Sequence, residues 1–198
     1  MPAVVFVAPF FLETTLRFLR SAAELPGVRL GLISQDPVAR LPESIRSGLA
    51  AAEVLPDALD PDRIAGAVQR IAGSIGPIHR LLGALEQLQV PLAQVRETLD
   101  IDGMKTRAAR NFRDKALMKE TLQAAGVPCA RHVLAAGREQ VGEFLERTGF
   151  PVVVKPIDGA GGKDTHRVED PAALEKILAA SEPTPERPLM LEEFVKGR

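Results

Sequence analysis

Residues 149–165 read GFPVVVKPIDGAGGKDT and carry the clearest structural pattern in this chain. The apolar run at 152–154 consists of valine, a β-branched residue, and is typical of a buried strand. Lys155 stands at the end of that run, and a glycine-rich segment follows at 159–162. A lysine leaving a buried strand needs water or an anion, and small residues let backbone N–H groups approach an anion. The stretch therefore predicts a binding site for a phosphate group.

The glycine-rich segment departs from the two best-known phosphate motifs. A Walker A loop needs a glycine where this chain has Ile157, and a serine or threonine after Gly162-Lys163, where it has Asp164. A dinucleotide fingerprint needs a third glycine at that last position. Two interpretations stay open from the residues alone. The segment is either an anion-binding loop with Lys163 and Thr165 as donors, or a glycine-rich hairpin without a ligand.

The N-terminal half alternates apolar runs of strand type with helical patterns. Residues 3–7 and 28–33 predict buried strands, and residues 12–24 carry leucine at helical spacing. This order predicts a small parallel sheet with helices on its faces. Residues 60–89 are helical in pattern, with a strand–loop unit around 74–78 as the alternative.

A polar joint that contains glycine, residues 99–104, separates the two halves of the chain. We place the domain boundary after residue 103, which predicts domains at 1–103 and 104–198. The second domain opens with a predicted long helix over 106–125, and short strands and helices alternate after it.

The composition of the 198 residues excludes several classes of protein. The 25 basic and 26 acidic residues give a formal net charge of −1, too small to steer nucleic acid or coat a membrane. One cysteine excludes an internal disulfide, and three histidines without ligand spacing predict no metal site. The apolar N-terminal run lacks the preceding positive charge of a signal peptide and is too short to span a bilayer. We predict a cytoplasmic protein with no nucleic-acid or membrane partner.

Three further charged residues are candidates for chemistry. Lys115 falls in the apolar stripe of the predicted long helix, so it either snorkels to an edge or projects toward the same anion as Lys155. Glu192 and Glu193 lie on the last predicted strand. They can accept hydrogen bonds from a base or a ribose, or they form a solvated strand end.

Taken together, these segments resemble the ATP-grasp superfamily, most closely over residues 103–198. Each mark is weak alone, but five in this order at compatible spacing are specific. The resemblance implies an α/β fold, with a Rossmann-like domain followed by the first, small lobe of an ATP-grasp domain. The marks are RDK at 113–115, AGVP at 125–128, GFPVVVKP at 149–156, GAGG at 159–162 and EEFVKG at 192–197.

The resemblance also implies roles for individual residues. The two lysines would bind ATP phosphates, the loop 159–165 would close over them, and the last strand would hold the adenine through its carboxylates and backbone. No catalytic residue is identified. The implied ATP-binding residues are Lys115, Lys155, Gly159, Ala160, Gly161, Gly162, Lys163, Thr165, Glu192, Glu193, Phe194 and Val195.

The implied activity is that of an ATP-dependent carboxylate–amine or related ligase, in the amino-acid ligase-like branch, acting through an acyl-phosphate. Its partners would be ATP, a small carboxylate and an amine, with Mg²⁺ as cofactor. The magnesium ligands and the substrate arginine are expected beyond Arg198. We therefore expect an N-terminal fragment without the second ATP-grasp lobe, inactive alone. A non-catalytic nucleotide-binding or regulatory module is the alternative.

Overall fold

The computed structural model describes residues 1–157 and 164–196, and divides them between two compact units, Met1–Arg110 and Asn111–Arg198. The domain boundary predicted after residue 103 stays a prediction. Part of the predicted phosphate loop lies outside the described residues, namely Gly159, Ala160, Gly161, Gly162 and Lys163.

A parallel four-stranded sheet forms the centre of the first unit. Its strands follow the order β3-β2-β1-β4, and every pair is parallel. The parallel sheet predicted for this half is confirmed. The strands are β1 (Ala3–Ala8), β2 (Arg29–Ser34), β3 (Leu49–Val54) and β4 (Ile78–Gly83).

Four helices accompany this sheet and give it two separate apolar cores. Successive side chains of a strand point to opposite faces. Val5 accordingly packs with Ile71 and Leu92, whereas Phe6 packs with Leu19 in the other core. The helices are α1 (Glu13–Ala23), α2 (Glu43–Arg46), α3 (Pro61–Ile75) and α4 (Gln89–Thr98).

The region 60–89 is only partly helical, so a helical pattern over its whole length is wrong, and the strand that interrupts it begins at Ile78, at the end of the alternative strand–loop unit around 74–78. α3 ends at Gly76, whose φ of 87° is unfavourable for residues with a side chain. The short run that follows becomes β4, because it pairs in parallel with β1 at the edge of the sheet. Periodicity alone does not separate so short an apolar run from a helix segment.

The long helix predicted over 106–125 is two helices, α5 (Thr106–Arg113) and α6 (Lys115–Ala124). Asp114 separates them with an extended backbone, φ −95° and ψ 110°. Its carboxylate accepts hydrogen bonds from the backbone N–H groups of Ala116 and Leu117, at 2.9 and 3.0 Å. An N-cap of this kind starts a new helix, which explains the break.

An antiparallel four-stranded sheet of order β5-β8-β6-β7 forms the centre of the second unit. One face packs with two helices in a core that includes Phe144, Val154 and Leu191. In the described residues, no helix is long and apolar enough to cross a membrane. The elements are β5 (His132–Ala135), α7 (Arg138–Thr148), β6 (Val152–Lys155), β7 (His166–Val168), α8 (Pro171–Ser181) and β8 (Leu189–Glu193).

Candidate functional site

The pairing of β6 with β8 puts two charged side chains on one face of the sheet. The strands run antiparallel, with Val153 opposite Glu192. Because alternate residues share a face, Lys155 and Glu192 lie on the same side, and Val154 and Leu191 point the other way into the core. One face of this strand pair is therefore apolar and buried against helices, and the other carries charge.

Two lysines share one oxygen of Glu192. The Nζ atom of Lys155 lies 2.7 Å from Glu192 Oε1, and that of Lys119 lies 3.3 Å from the same atom. The side chains of Lys155, Glu192 and Lys119 are only 18%, 10% and 9% exposed. Neither contact is aligned as a hydrogen bond to that oxygen, so the attraction is between charges. Two cations on one anion leave the cluster with an excess of positive charge.

Lys115 reaches the end of the same strand. It is the first residue of α6, and its ammonium donates a hydrogen bond to the carbonyl oxygen of Ile157 at 3.0 Å. Ile157 lies two residues after Lys155 and two residues before the glycine-rich segment. Lys115 therefore points toward the Lys155 end of β6, and its binding of the same anion as Lys155 stays a prediction.

Lys119 was missed by the sequence analysis. It lies one helical turn after Lys115, and it and Ala116 are the buried residues of α6. Its ammonium also donates to the carbonyl oxygen of Ala130 at 3.3 Å. Residues three positions apart lie on the same face of a helix, so the spacing from Ala116 could have indicated that Lys119 is buried. What spacing could not supply is its contact with a carboxylate on a distant strand.

Glu193 points away from Glu192 and is bound by a different partner. The backbone N–H of Arg131 donates to Glu193 Oε1 at 2.9 Å, and the guanidinium donates to Oε2 at 2.6 Å. These two hydrogen bonds lower the pKa of Glu193, with the backbone bond as the larger cause. Arg131 also donates to the carbonyl oxygen of Arg147 at 2.8 Å, which ties β8 to the end of α7.

His132 lies beside the charged cluster as the cross-strand neighbour of Glu192. Its Nδ1 atom is buried and has no hydrogen-bond partner in the part of the chain that the structure describes. Burial is the main cause that lowers the pKa of His132, and the positive charge of Lys119 acts in the same direction, against the attraction of Glu192. The imidazole is therefore biased toward its neutral form.

The remaining predicted site residues lie near the ends of β8 and β7. The Cζ atom of Arg167 lies 4.0 Å from the centre of the Phe194 ring. The backbone N–H of Phe194 donates a hydrogen bond to the carbonyl oxygen of Pro151 at 3.4 Å. Val195 is exposed, and so is Thr165 just before β7. Among the predicted site residues, the structure thus brings Lys155 to Glu192 and Lys115 to the end of β6, whereas Glu193 lies in a separate ion pair.

Residues 120–197 match the family described as the ATP-grasp domain. The D-alanine–D-alanine ligase of Frankia casuarinae is 29% identical over 157 residues, which are 79% of this chain and 38% of that enzyme. The chain therefore spans well under half the length of this curated relative.

Solved structures share the fold at low sequence identity. An L-amino acid ligase from Bacillus licheniformis has a TM-score of 0.73 at 19% identity, covering 100% of this chain and 45% of that one. The biotin carboxylase domain of a Hydrogenobacter thermophilus 2-oxoglutarate carboxylase, solved with MgADP and bicarbonate, has a TM-score of 0.75 at 18% identity, covering 98% and 44%. The predicted fold class is confirmed.

Proposed function

Since residues 120–197 match the ATP-grasp domain, we propose that this chain supplies part of the ATP site of a carboxylate–amine ligase. One observation carries the proposal: Lys155 shares the buried oxygen of Glu192 with Lys119, in a cluster with excess positive charge. Such a cluster suits a triphosphate, because charge-assisted hydrogen bonds are the strong ones. The chain spans 38% of its ligase relative, so the activity proposed is that of the whole protein.

We assign the phosphates to the lysines at the end of β6. The ammonium groups of Lys155 and Lys115 approach that end from the strand itself and from α6. Each would donate charge-assisted hydrogen bonds, worth about 1.5–3 kcal/mol apiece. The loop 159–165, with Lys163 and Thr165, would close over the phosphates, as the resemblance implies.

We assign the adenine to β8 and the residues after it. The Glu192 carboxylate would accept a hydrogen bond from the exocyclic amino group, since a carboxylate is an acceptor only. The backbone of Phe194 and Val195 would contact the base edge. Glu193 would contribute through its backbone, because Arg131 occupies both of its carboxylate oxygens.

The proposed reaction has two balanced steps. A carboxylate oxygen of the acid attacks the γ-phosphorus of ATP, the bond to the β-bridging oxygen breaks, and ADP leaves. The amine nitrogen then attacks the acyl carbon of the acyl-phosphate, inorganic phosphate leaves, and the nitrogen loses a proton. This chain's part is to hold the nucleotide, because binding energy spent on orientation lowers the barrier.

The described residues do not fit a magnesium site. Among them, no group of three histidine, cysteine, aspartate or glutamate side chains could hold a metal ion. We therefore assign no step to a metal in this chain, and the proposed Mg²⁺ would need ligands from elsewhere.

Lys155→Ala tests the assignment of the phosphates. We expect ATP binding, measured by calorimetry, to weaken by about 2–5 kcal/mol, the range for truncating one partner of a buried charge pair. Lys176→Ala is the matched control, because this lysine is exposed on α8. Unchanged ATP affinity in Lys155→Ala would contradict the proposal.

ADP release tests the ligase activity itself. The whole protein is incubated with ATP and a panel of carboxylates and amines, and we expect release of ADP that depends on one acid. Nucleotide binding without any such release would favour the alternative, a nucleotide-binding or regulatory module.

A further inference from the structure

The carboxylate of Glu192 has more counter-charge than it needs. It is 10% exposed, and both Lys155 and Lys119 approach its Oε1 atom, at 2.7 and 3.3 Å. A buried carboxylate requires one compensating cation, because an unpaired buried charge is strongly unfavourable. With two lysines present, one of them can leave for another anion while the carboxylate stays compensated.

The two lysines differ in how firmly they are held. Lys119 lies in the middle of α6, is 9% exposed, and also contacts the carbonyl oxygen of Ala130. Lys155 is the last residue of β6, its side chain is 18% exposed, and no second contact of its ammonium is found among the described residues. Lys155 is therefore the more accessible and the less firmly held of the two lysines.

We propose that Lys119 is a positioning residue, the resident counter-ion that lets Lys155 move its ammonium from Glu192 to a nucleotide phosphate. This inference rests on the proposed function, from which it takes the phosphate as the second anion. While Lys119 holds Glu192, binding the phosphate leaves no buried carboxylate uncompensated. Without Lys119, the phosphate and Glu192 compete for Lys155.

Binding of inorganic tripolyphosphate tests this competition, because the probe has no base and reports only on the phosphate side. By calorimetry, Lys119→Met is expected to weaken binding by about tenfold or more, a difference of about 1.4 kcal/mol or more. The double variant Lys119→Met/Glu192→Gln is expected to regain most of that loss, since a neutral amide needs no counter-ion. Lys176→Met, at an exposed position on α8, controls for the loss of one positive charge.

Two results would overturn the inference while leaving the proposed function intact. One is that Lys119→Met binds tripolyphosphate as tightly as Lys176→Met, although Lys155→Ala binds it weakly. The other is that adding Glu192→Gln restores nothing, because a role of Lys119 in packing alone gives no such rescue. If the unaltered chain does not bind tripolyphosphate, the proposed function is contradicted, and so is the proposed movement of Lys155 from Glu192 to a phosphate.

Thermal unfolding without any ligand tests the shared counter-ion separately. Lys119→Met and Lys155→Met each leave Glu192 with one cation, whereas the double variant leaves it with none. We expect the double variant to lower Tm by more than the sum of the single variants, because residues in one charge network are not additive. When Glu192→Gln is added to the double variant, we expect the loss of Tm beyond the sum of the single variants to disappear. A strictly additive double variant would contradict the inference.

Discussion

Protonation of the Glu193 carboxylate should change the free energy of unfolding, because this group accepts two hydrogen bonds in the folded chain. Arg131 lowers its pKa by donating from its backbone N–H and its guanidinium. A carboxylate with a lowered folded-state pKa adds stability above its unfolded pKa, and that stability is lost as the pH falls through the folded pKa.

We therefore expect Glu193→Gln to unfold at lower urea concentration than the unaltered chain at pH 7. The difference in urea midpoint between the two proteins should become smaller as the pH falls below about 4, which is near the ordinary pKa of a glutamate. Urea titrations at several pH values measure it, with Glu146→Gln on the exposed side of α7 as the control. A gap of equal size at every pH would exclude this ion pair as its cause.

Individual residues also mark the limit of what the sequence predicts. Lys155 was predictable because a charge at the end of a valine run stands out within a few positions. Lys119 was not, because its importance comes from a contact with Glu192, on a strand far along the chain. Local spacing encodes burial, but it does not encode which side chain lies opposite.

At the scale of elements, α6 depends on its N-cap. Asp114 accepts hydrogen bonds from two backbone N–H groups of the first turn, and Lys115 follows directly. We expect Asp114→Ala to lower the free energy of unfolding of the second unit by about 0.5–2 kcal/mol. Urea denaturation measures the change. Asp114→Asn retains a capping oxygen and should be milder, and equal losses in both variants would contradict a capping role.

The elements themselves were predicted with unequal success. The strand predicted from the valine run at 152–154 is present as β6 (Val152–Lys155), because β-branched residues suit a buried strand. β4 was not separated from its helical surroundings, because only its pairing with β1 distinguishes it. The break at Asp114 was also missed, since the apolar pattern continues across it and the cap is visible only as backbone geometry.

At the scale of the whole molecule, the two compact units have separate apolar cores. Leu81 is buried in the core of the first unit, and truncating it to alanine should destabilise that unit by about 2–5 kcal/mol. Hydrogen exchange should then accelerate in β1 and β4 but not in β6 and β8, because local stability follows local contacts. Equal acceleration in both sheets would mean that the units unfold together.

The amino-acid sequence was enough to predict the α/β fold class, to show the resemblance to the ATP-grasp superfamily, and to single out Lys155 and Glu192 as candidate residues. These conclusions rest on signals that are complete within short stretches, such as a valine run, a glycine-rich segment and helical spacing. The folded chain was needed to show that Lys119 and Lys155 contact the same oxygen of Glu192, and that Glu193 forms an ion pair with Arg131. These contacts join side chains that are far apart in the sequence. They depend on strand register and helix placement, which arise from interactions between distant parts of the chain.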